Sequence, residues 1–309
     1  MNRFYVFGFV AVAGFLSAIF TTYFHNNLKL RKIPDGGVRI ASYNIRNSVD
    51  DRGTANDWSL RKEDVVGLVR YLGADVVGFQ EVLPDQMVFL RGALSEYEFV
   101  GEYRDKDDPM RGEASPVAFR RDRFVALKSG TFWLSETPDV PKSIGWDAKY
   151  ARVCSYAVLS NRQTGCTFAF ANCHTDHKGD RAREQGLLLV QERMKSFGGG
   201  IPIVFTGDHN CHPWEPPAKA LRRTLADARE VAEIKDPGPD QTVQGFGRSK
   251  VPGDRIDYIY VSPEVRVIDF ETVDARRLDG GYPSDHYPIV STIVFPKAEG
   301  GVGISWRSP

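Results

Sequence analysis

Short apolar runs recur along the chain, and many stop at a polar side chain able to bind an ion or move a proton. The clearest spans residues 201–210, where Ile201, Ile203, Val204 and Phe205 lead through Gly207 to Asp208 and Asn210. An apolar run bounded by Pro202 and Gly207 predicts a buried core strand. On an extended chain, residues two apart face the same way, so a carboxylate and an amide emerge together at the strand's end. That pairing suits activation of a water, although a strand followed by an Asx-type turn has the same residues. The pattern repeats. Asn44 follows Ile40-Ala41-Ser42-Tyr43, Glu81 follows Val76-Val77-Gly78-Phe79-Gln80, and His174 follows Phe168-Ala169-Phe170-Ala171-Asn172-Cys173. Ser284-Asp285-His286 precedes the last apolar run, and Asp257 lies inside Arg255-Ile256-Asp257-Tyr258-Ile259. A carboxylate buried inside a strand is costly unless it is paired. His286 is one candidate partner, which would fix the imidazole tautomer and raise its pKa; Arg255 or another Arg is the alternative. Strand ends of a sandwich can converge on one rim, where binding residues concentrate.

Helical spacing separates these runs. Leu60, Val65, Leu68, Val69 and Leu72 form one stripe over 58–72, and further helices are expected over 83–94, 182–197 and 217–225. Strands are expected over 38–43, 75–79, 98–100, 116–119, 124–130, 152–159, 166–172, 256–261, 265–272 and 289–295. Successive hairpins, interleaved helices and no internal repeat argue for one α/β (α+β) domain over 38–297, built of two packed mixed sheets with helices outside. A basic linker over 28–37 precedes it and a loose Gly-rich tail over 298–309 follows.

Residues 4–24 carry no charge. At roughly 1.5 Å rise per residue they would span a bilayer core of about 30 Å. Residues 1–27 are therefore expected to be an uncleaved signal anchor, with a cleaved signal peptide or a buried helix as alternatives. The domain is therefore expected to be membrane-anchored or exported, outside the cytoplasm. Lys plus Arg equals Asp plus Glu at 40 each, so bulk charge does not indicate a strongly basic nucleic-acid binder. Nothing implies a protein partner, and a monomer is expected. Cys154, Cys166, Cys173 and Cys211 are expected to be mostly buried free thiols, with Cys154 and Cys173 able to face each other across a hairpin.

Taken together, the motifs at Asn44, Gln80-Glu81, Asn172-Cys173-His174, Gly207-Asp208-His209-Asn210, Arg255-Ile256-Asp257-Tyr258 and Ser284-Asp285-His286 resemble the endonuclease/exonuclease/phosphatase (DNase I-like) superfamily in family order. Gly130-Thr131-Phe132-Trp133-Leu134-Ser135-Glu136-Thr137-Pro138 resembles its bacterial metal-dependent hydrolase branch. The resemblance implies a two-layer β-sandwich flanked by helices and a phosphoester hydrolase dependent on Mg²⁺ or Mn²⁺. It implies a nuclease-like phosphodiesterase, acting on nucleic acid or a small phosphodiester, ahead of a phosphomonoesterase or a sphingomyelinase-like phospholipid diesterase. An inactive phosphate-binding domain would have lost part of this set. Carried over, Glu81 is the main metal ligand with Asn44 and Asp285 nearby. Asp208 activates the water and Asn210 orients it. His174 and His286 contact the phosphate, and Asp257 holds His286. Arg152 is either a phosphate clamp or a surface residue, and Glu113 is a further candidate by resemblance. His209 and Cys173 depart from the family pattern, which leaves a zinc site at His209, Cys211 and His212 as an alternative. Specificity is expected from loops 102–113, 133–150 and 233–254, the last offering Phe246, Arg248 and Lys250 to a base and phosphate.

Overall fold

The apolar runs pair into two six-stranded sheets. The computed structural model describes residues 31–198, 200–234, 238–249 and 254–296. One sheet contains β1 (Gly37–Asn44), β2 (Val76–Gln80), β3 (Tyr97–Val100), β4 (Val117–Arg120), β11 (Arg266–Thr272) and β12 (Ile289–Val294). The other contains β5 (Phe124–Trp133), β6 (Val153–Asn161), β7 (Thr167–His174), β8 (Ile203–Asp208), β9 (Ala226–Asp227) and β10 (Asp257–Val261). Their orders are β11-β12-β1-β2-β4-β3 and β5-β6-β7-β8-β10-β9. Each has a single parallel pair at its centre, β1 with β2 and β7 with β8; the other pairs are antiparallel.

Three apolar layers explain why the central strands read as continuous apolar runs rather than alternating ones. Val38, Ile40, Val76, Phe119, Phe170, Val204, Ile259 and Ile293 fill the space between the sheets. Helices α1 (Trp58–Leu72) and α2 (Pro84–Ala93) cover the outer face of the first sheet, around Tyr43, Val77 and Phe79. Helices α3 (Asp180–Gly198) and α4 (Pro216–Leu221) cover the second, around Phe205, Tyr258 and Tyr260. A short α5 (Ala228–Val231) follows β9. This is the expected sandwich.

The differences are local. In α1, Val65, Leu68, Val69 and Leu72 are buried as the stripe predicts, but Leu60 is 56% exposed. The inward position of the first turn belongs to Arg61, which is fully buried. Asp57 caps the helix by accepting from the Ser59 amide at 2.9 Å, and Gly73 ends it in a left-handed conformation. Strands β5 and β7 outrun their expected ends, to Trp133 and His174, while the helix expected over 217–225 is only Pro216–Leu221. Asp257 opens β10 rather than lying inside it. All four cysteines are free, and Cys154 and Cys173 are opposite one another in the β6–β7 register.

Among the described residues no helix is long and apolar enough to cross a membrane. This corrects the transmembrane expectation, and membrane attachment through the amino-terminal segment is without support. Residues 4–24, on which that expectation rested, lie outside the described residues, as do the tail over 298–309 and Lys250.

A polar seam joins the two sheets beneath one rim. The Asn172 amide donates to Phe79 O at 2.7 Å and Pro116 O at 3.1 Å. Its oxygen accepts from Gln80 Nε2 at 2.7 Å and Thr206 Oγ1 at 3.1 Å. Each buried polar atom of this amide is thus satisfied, which is what burial requires. Gly78 makes room for the seam: a Cβ there would fall 2.3 Å from Thr206 Oγ1 and 2.4 Å from Asn172 Oδ1. Gly78→Ala should lower unfolding stability by about 1–3 kcal/mol through overpacking, read as a lower denaturant midpoint. An unchanged midpoint would show that the seam yields without cost.

Candidate active site

Strand register builds half of the site. His174 is the partner of Asp208 on the parallel β7–β8 pair, and Asp208 is the partner of Asp257 on the antiparallel β8–β10 pair. Residues in register on neighbouring strands share a face, so the three side chains emerge side by side. The other sheet supplies Asn44 at the end of β1 and Glu81 just beyond β2. Asp285 and His286 arrive on the segment before β12.

The Asn44 amide nitrogen ties the two halves together. It donates to Glu81 Oε1 and to Asp208 Oδ2, each at 3.0 Å. Glu81 has a left-handed backbone, φ 61°, and its other oxygen accepts from the Asn47 backbone and side chain at 3.0 and 3.1 Å. Asn44 Oδ1 accepts from the Arg46 amide at 3.0 Å. As placed, Asn44 spaces two carboxylates apart.

Asp257 has a definite partner. Its Oδ2 lies 2.9 Å from His286 Nδ1, whereas Arg255 pairs with Asp227 at 2.8 Å. The far nitrogen of His286 is 3.8 Å from Asp208 Oδ2. Burial works against a charged imidazole, but Asp257 overcomes it and raises His286 well above its ordinary value. Asn210 makes the expected turn and also reaches His174. Its backbone donates to Asp208 Oδ1 at 3.1 Å as in an Asx turn, and its side-chain nitrogen sits 3.0 Å from His174 Nε2. His174 Nε2 is also 3.5 Å from Asp208 Oδ2.

Burial and the neighbouring Asp257 push Asp208 up to about 7. Burial, with Glu81 adding to it, also raises Asp285. Burial opposes ionisation of Glu81, yet His174, Arg46 and the Asn44 amide hold its carboxyl low, at about 2. Burial and the Arg152 guanidinium push His174 well down, so it is neutral at neutral pH. The lasting stabilisation of ionised Glu81 therefore comes from Arg46, the amide donors and the charged His286.

The cleft above these groups has a volume of about 520 Å³ and a basic wall. Arg152 is buried, not a surface residue. Its Nε is 3.4 Å from Asp176 Oδ2 and its Nη2 is 3.0 Å from His177 Nδ1. Arg104 pairs with Glu113 at 2.8 Å, and burial pushes Glu113 up to about 7 despite that cation. Arg104, Arg46 and Asn47 were not singled out as site residues from sequence. Arg46 and Asn47 follow the Asn44 motif directly, a signal that was available. Arg104 sits in a loop whose charges nearly cancel along the chain, and only folding turns it, with Glu113 as its partner, toward the cleft. Loop 233–254 contributes Val243 and Asp254 to the cleft. Its Phe246 instead lies 5.8 Å from the Arg61 guanidinium.

The zinc alternative is not built. His209 is buried among the rings of Phe205, Tyr258 and Tyr260, where burial pushes it down to about 3. His212 stacks on Trp214 at 4.6 Å. Among the described residues, one set of potential ligand atoms falls within 4.8 Å, on Asp208, Asp257 and His286. A protonated, ion-paired His286 has no lone pair to give. Glu81 and Asp285 offer carboxylate oxygens, the donors that a hard divalent cation prefers, and the crowded acidic groups would gain from such a cation. The donor set therefore fits a hard divalent cation.

The Endonuclease/Exonuclease/phosphatase family model matches residues 41–286. An endonuclease/exonuclease/phosphatase family protein of Bacteroides thetaiotaomicron is 34% identical, with TM-score 0.77 over 86% of this chain and 98% of that one. A mannosyl-6-phosphatase of the same organism is also 34% identical, with TM-score 0.76 over 84% of this chain and 100% of that one. Nocturnin of Drosophila melanogaster is 24% identical over 289 residues, 79% of this chain. The chain spans less than half the length of the curated relatives it matches, 43% of nocturnin and 31% of a mimivirus protein.

The raised Asp208 carboxyl has a consequence for stability. Between its ordinary value of 3.8 and about 7, the folded state holds a proton that the unfolded state has lost. Stability from this group is therefore full below the ordinary value and falls as pH rises through about 7. In excess chelator, Asp208→Asn should gain melting temperature relative to wild type as pH rises from about 4 to about 8. A gap that does not change with pH would show that Asp208 titrates normally.

Proposed function

The chain belongs to the endonuclease/exonuclease/phosphatase family, and from that premise we propose that it hydrolyses small phosphomonoesters with the help of a bound divalent cation. Phosphoester hydrolysis is the chemistry of the family. The observation that carries the monoester reading is the pair of buried guanidiniums, Arg104 and Arg152, on one wall of the cleft. A phosphomonoester carries about −1.5 to −2 charges at neutral pH, more than a diester, and a planar guanidinium can grip two of its oxygens. A cleft of about 520 Å³ suits a small ligand. The 34% identical mannosyl-6-phosphatase supports the same class. The diesterase expected from the resemblance is the competing outcome of the assay below.

Glu81 and Asp285 would hold the cation, with Asn44 and Asn47 fixing Glu81. When bound, such a cation supplies charge stabilisation at the phosphoryl and leaving oxygens. The protein's own groups do the rest. Asp208 takes the proton of the attacking water, and a carboxyl near 7 is suited to that work at neutral pH. Asn210 and His174, 3.0 Å apart, flank that water and orient it. His286, kept charged by Asp257, donates to a phosphoryl oxygen, and charge developing there is stabilised by a donor already in place. Arg152 and Arg104 bind the remaining oxygens.

Rates on p-nitrophenyl phosphate, a hexose phosphate and bis-p-nitrophenyl phosphate with Mg²⁺ test this reading. A monoester should be preferred about tenfold or more in kcat/KM, which corresponds to about 1.4 kcal/mol. A faster diester would overturn the monoester assignment. EDTA should abolish turnover and Mg²⁺ or Mn²⁺ restore it; full activity in excess EDTA would remove the metal. Asp208→Asn should lower kcat by about 10² to 10⁴-fold while remaining folded. Arg152→Ala should act mainly by raising KM for the monoester.

A further inference from the structure

We propose that Arg61, on α1 and outside the cleft, is a positioning residue that locks two loops of the site into one body and so sets its affinity for a divalent cation. The inference rests on the metal reading above. Arg61 is fully buried and, among the described residues, makes no ion pair. A buried cation without a carboxylate partner is costly, so its hydrogen bonds must account for its place. They go to five backbone carbonyls. Nη1 donates to Ile45 O and to Pro283 O, the latter at 3.2 Å. Nη2 donates to Arg46 O at 2.7 Å and Asn47 O at 3.1 Å, and Nε donates to Asn56 O at 2.9 Å. The rings of Trp58 and Phe246 lie 5.0 and 5.8 Å from its central carbon.

These carbonyls belong to the segments that carry the site. Residues 45–47 hold Glu81 through Asn47 and bring Arg46 to 3.8 Å from Asp285. Pro283 leads directly into Ser284, Asp285 and His286. Arg46 has a left-handed backbone, φ 56°, a strained state that persists only where surroundings hold it. Its carbonyl is held from two sides, by Arg61 and by Gln86 Nε2 at 2.9 Å. One planar fork therefore spans both loops. A lysine ammonium is a point charge and cannot reach all of these carbonyls together. Burial lowers Arg61 to about 10, which leaves it charged at neutral pH, with Asp285 and Glu81 among the anions that favour the charge.

Mn²⁺ titrated calorimetrically into wild type and Arg61→Lys, each checked for folding by circular dichroism, tests the proposal. Loss of a group that orients metal ligands typically costs about 10–100-fold in metal affinity, and a weakening in that range is expected. Turnover of the variant should recover toward wild type as Mn²⁺ is raised to saturation. A folded Arg61→Lys that binds Mn²⁺ as tightly as wild type overturns this inference alone. A wild type that binds no Mn²⁺ overturns the metal reading with it. Should Arg61→Lys not fold, amide exchange in the wild type asks the same question. Mn²⁺ should slow exchange in residues 45–47 and 283–286 together, and slowing in one segment only overturns the proposal.

Discussion

Asp208, Asp257, Glu81 and Asp285 are buried or nearly so around one cleft, and holding their charge in low dielectric is the constraint the rest of the site answers. Each answer is a named contact. Asp257 is neutralised by His286, Glu81 by Arg46 and three hydrogen bonds, and Asp208 by donors from the Asn44 side chain and the Asn210 backbone, with its carboxyl still raised to about 7. The Asn44 amide stands between Glu81 and Asp208 and donates to both. Because Glu81 belongs to one sheet and Asp208 to the other, this amide also joins the layers at the rim, above the seam made by Asn172. Catalytic groups and fold are therefore held by neighbouring hydrogen bonds of one polar column.

The cost of the arrangement shows in the backbone. Arg46, Glu81 and Asn210 have φ of 56°, 61° and 46°, a region that non-glycine residues rarely occupy. All three line the cleft. Such strain clusters where surrounding structure over-determines it, and here the determinants are identifiable: Arg61 and Gln86 for Arg46, Asn44 and Asn47 for Glu81, Asp208 for Asn210. Gly207 adds a steric requirement, since a Cβ there would lie 2.2 Å from the Cys173 carbonyl. The close approach of β8 to β7 at this point is what brings Asp208 beside His174.

Loops complete the site by adding the guanidiniums of Arg104 and Arg152, each with its own carboxylate partner. Loop 102–113 folds back on itself through Arg104, which reaches Arg111 O at 2.7 Å and Glu113 at 2.8 Å. Its Asp105 and Asp107 pair with Lys142 across the next loop. These two acidic residues are held at the surface, while Arg104 turns inward with Glu113 and lines the cleft. A loop nearly neutral in sequence thus gives a cleft with a basic wall.

Sequence alone determined most of the elements and marked candidates for the site. Apolar runs and helical spacing are local properties, and they marked the strands, α1, α2 and α3, and the polar residue at each strand's end. Polar residues at strand ends marked Asn44, Glu81, His174 and Asp208 as able to converge on one rim, and Asp285 stood just before the last strand. Tertiary structure decided the rest, because pairing depends on register and on contacts between distant segments. It chose His286 over Arg255 for Asp257, buried His209 among rings where a ligand role was conceivable, and turned Arg61 inward where spacing pointed to Leu60. It turned Arg104 of loop 102–113 inward, near enough to Arg152 for their charges to interact. No periodicity encodes these choices, since each depends on which groups share a low-dielectric space once the chain has closed.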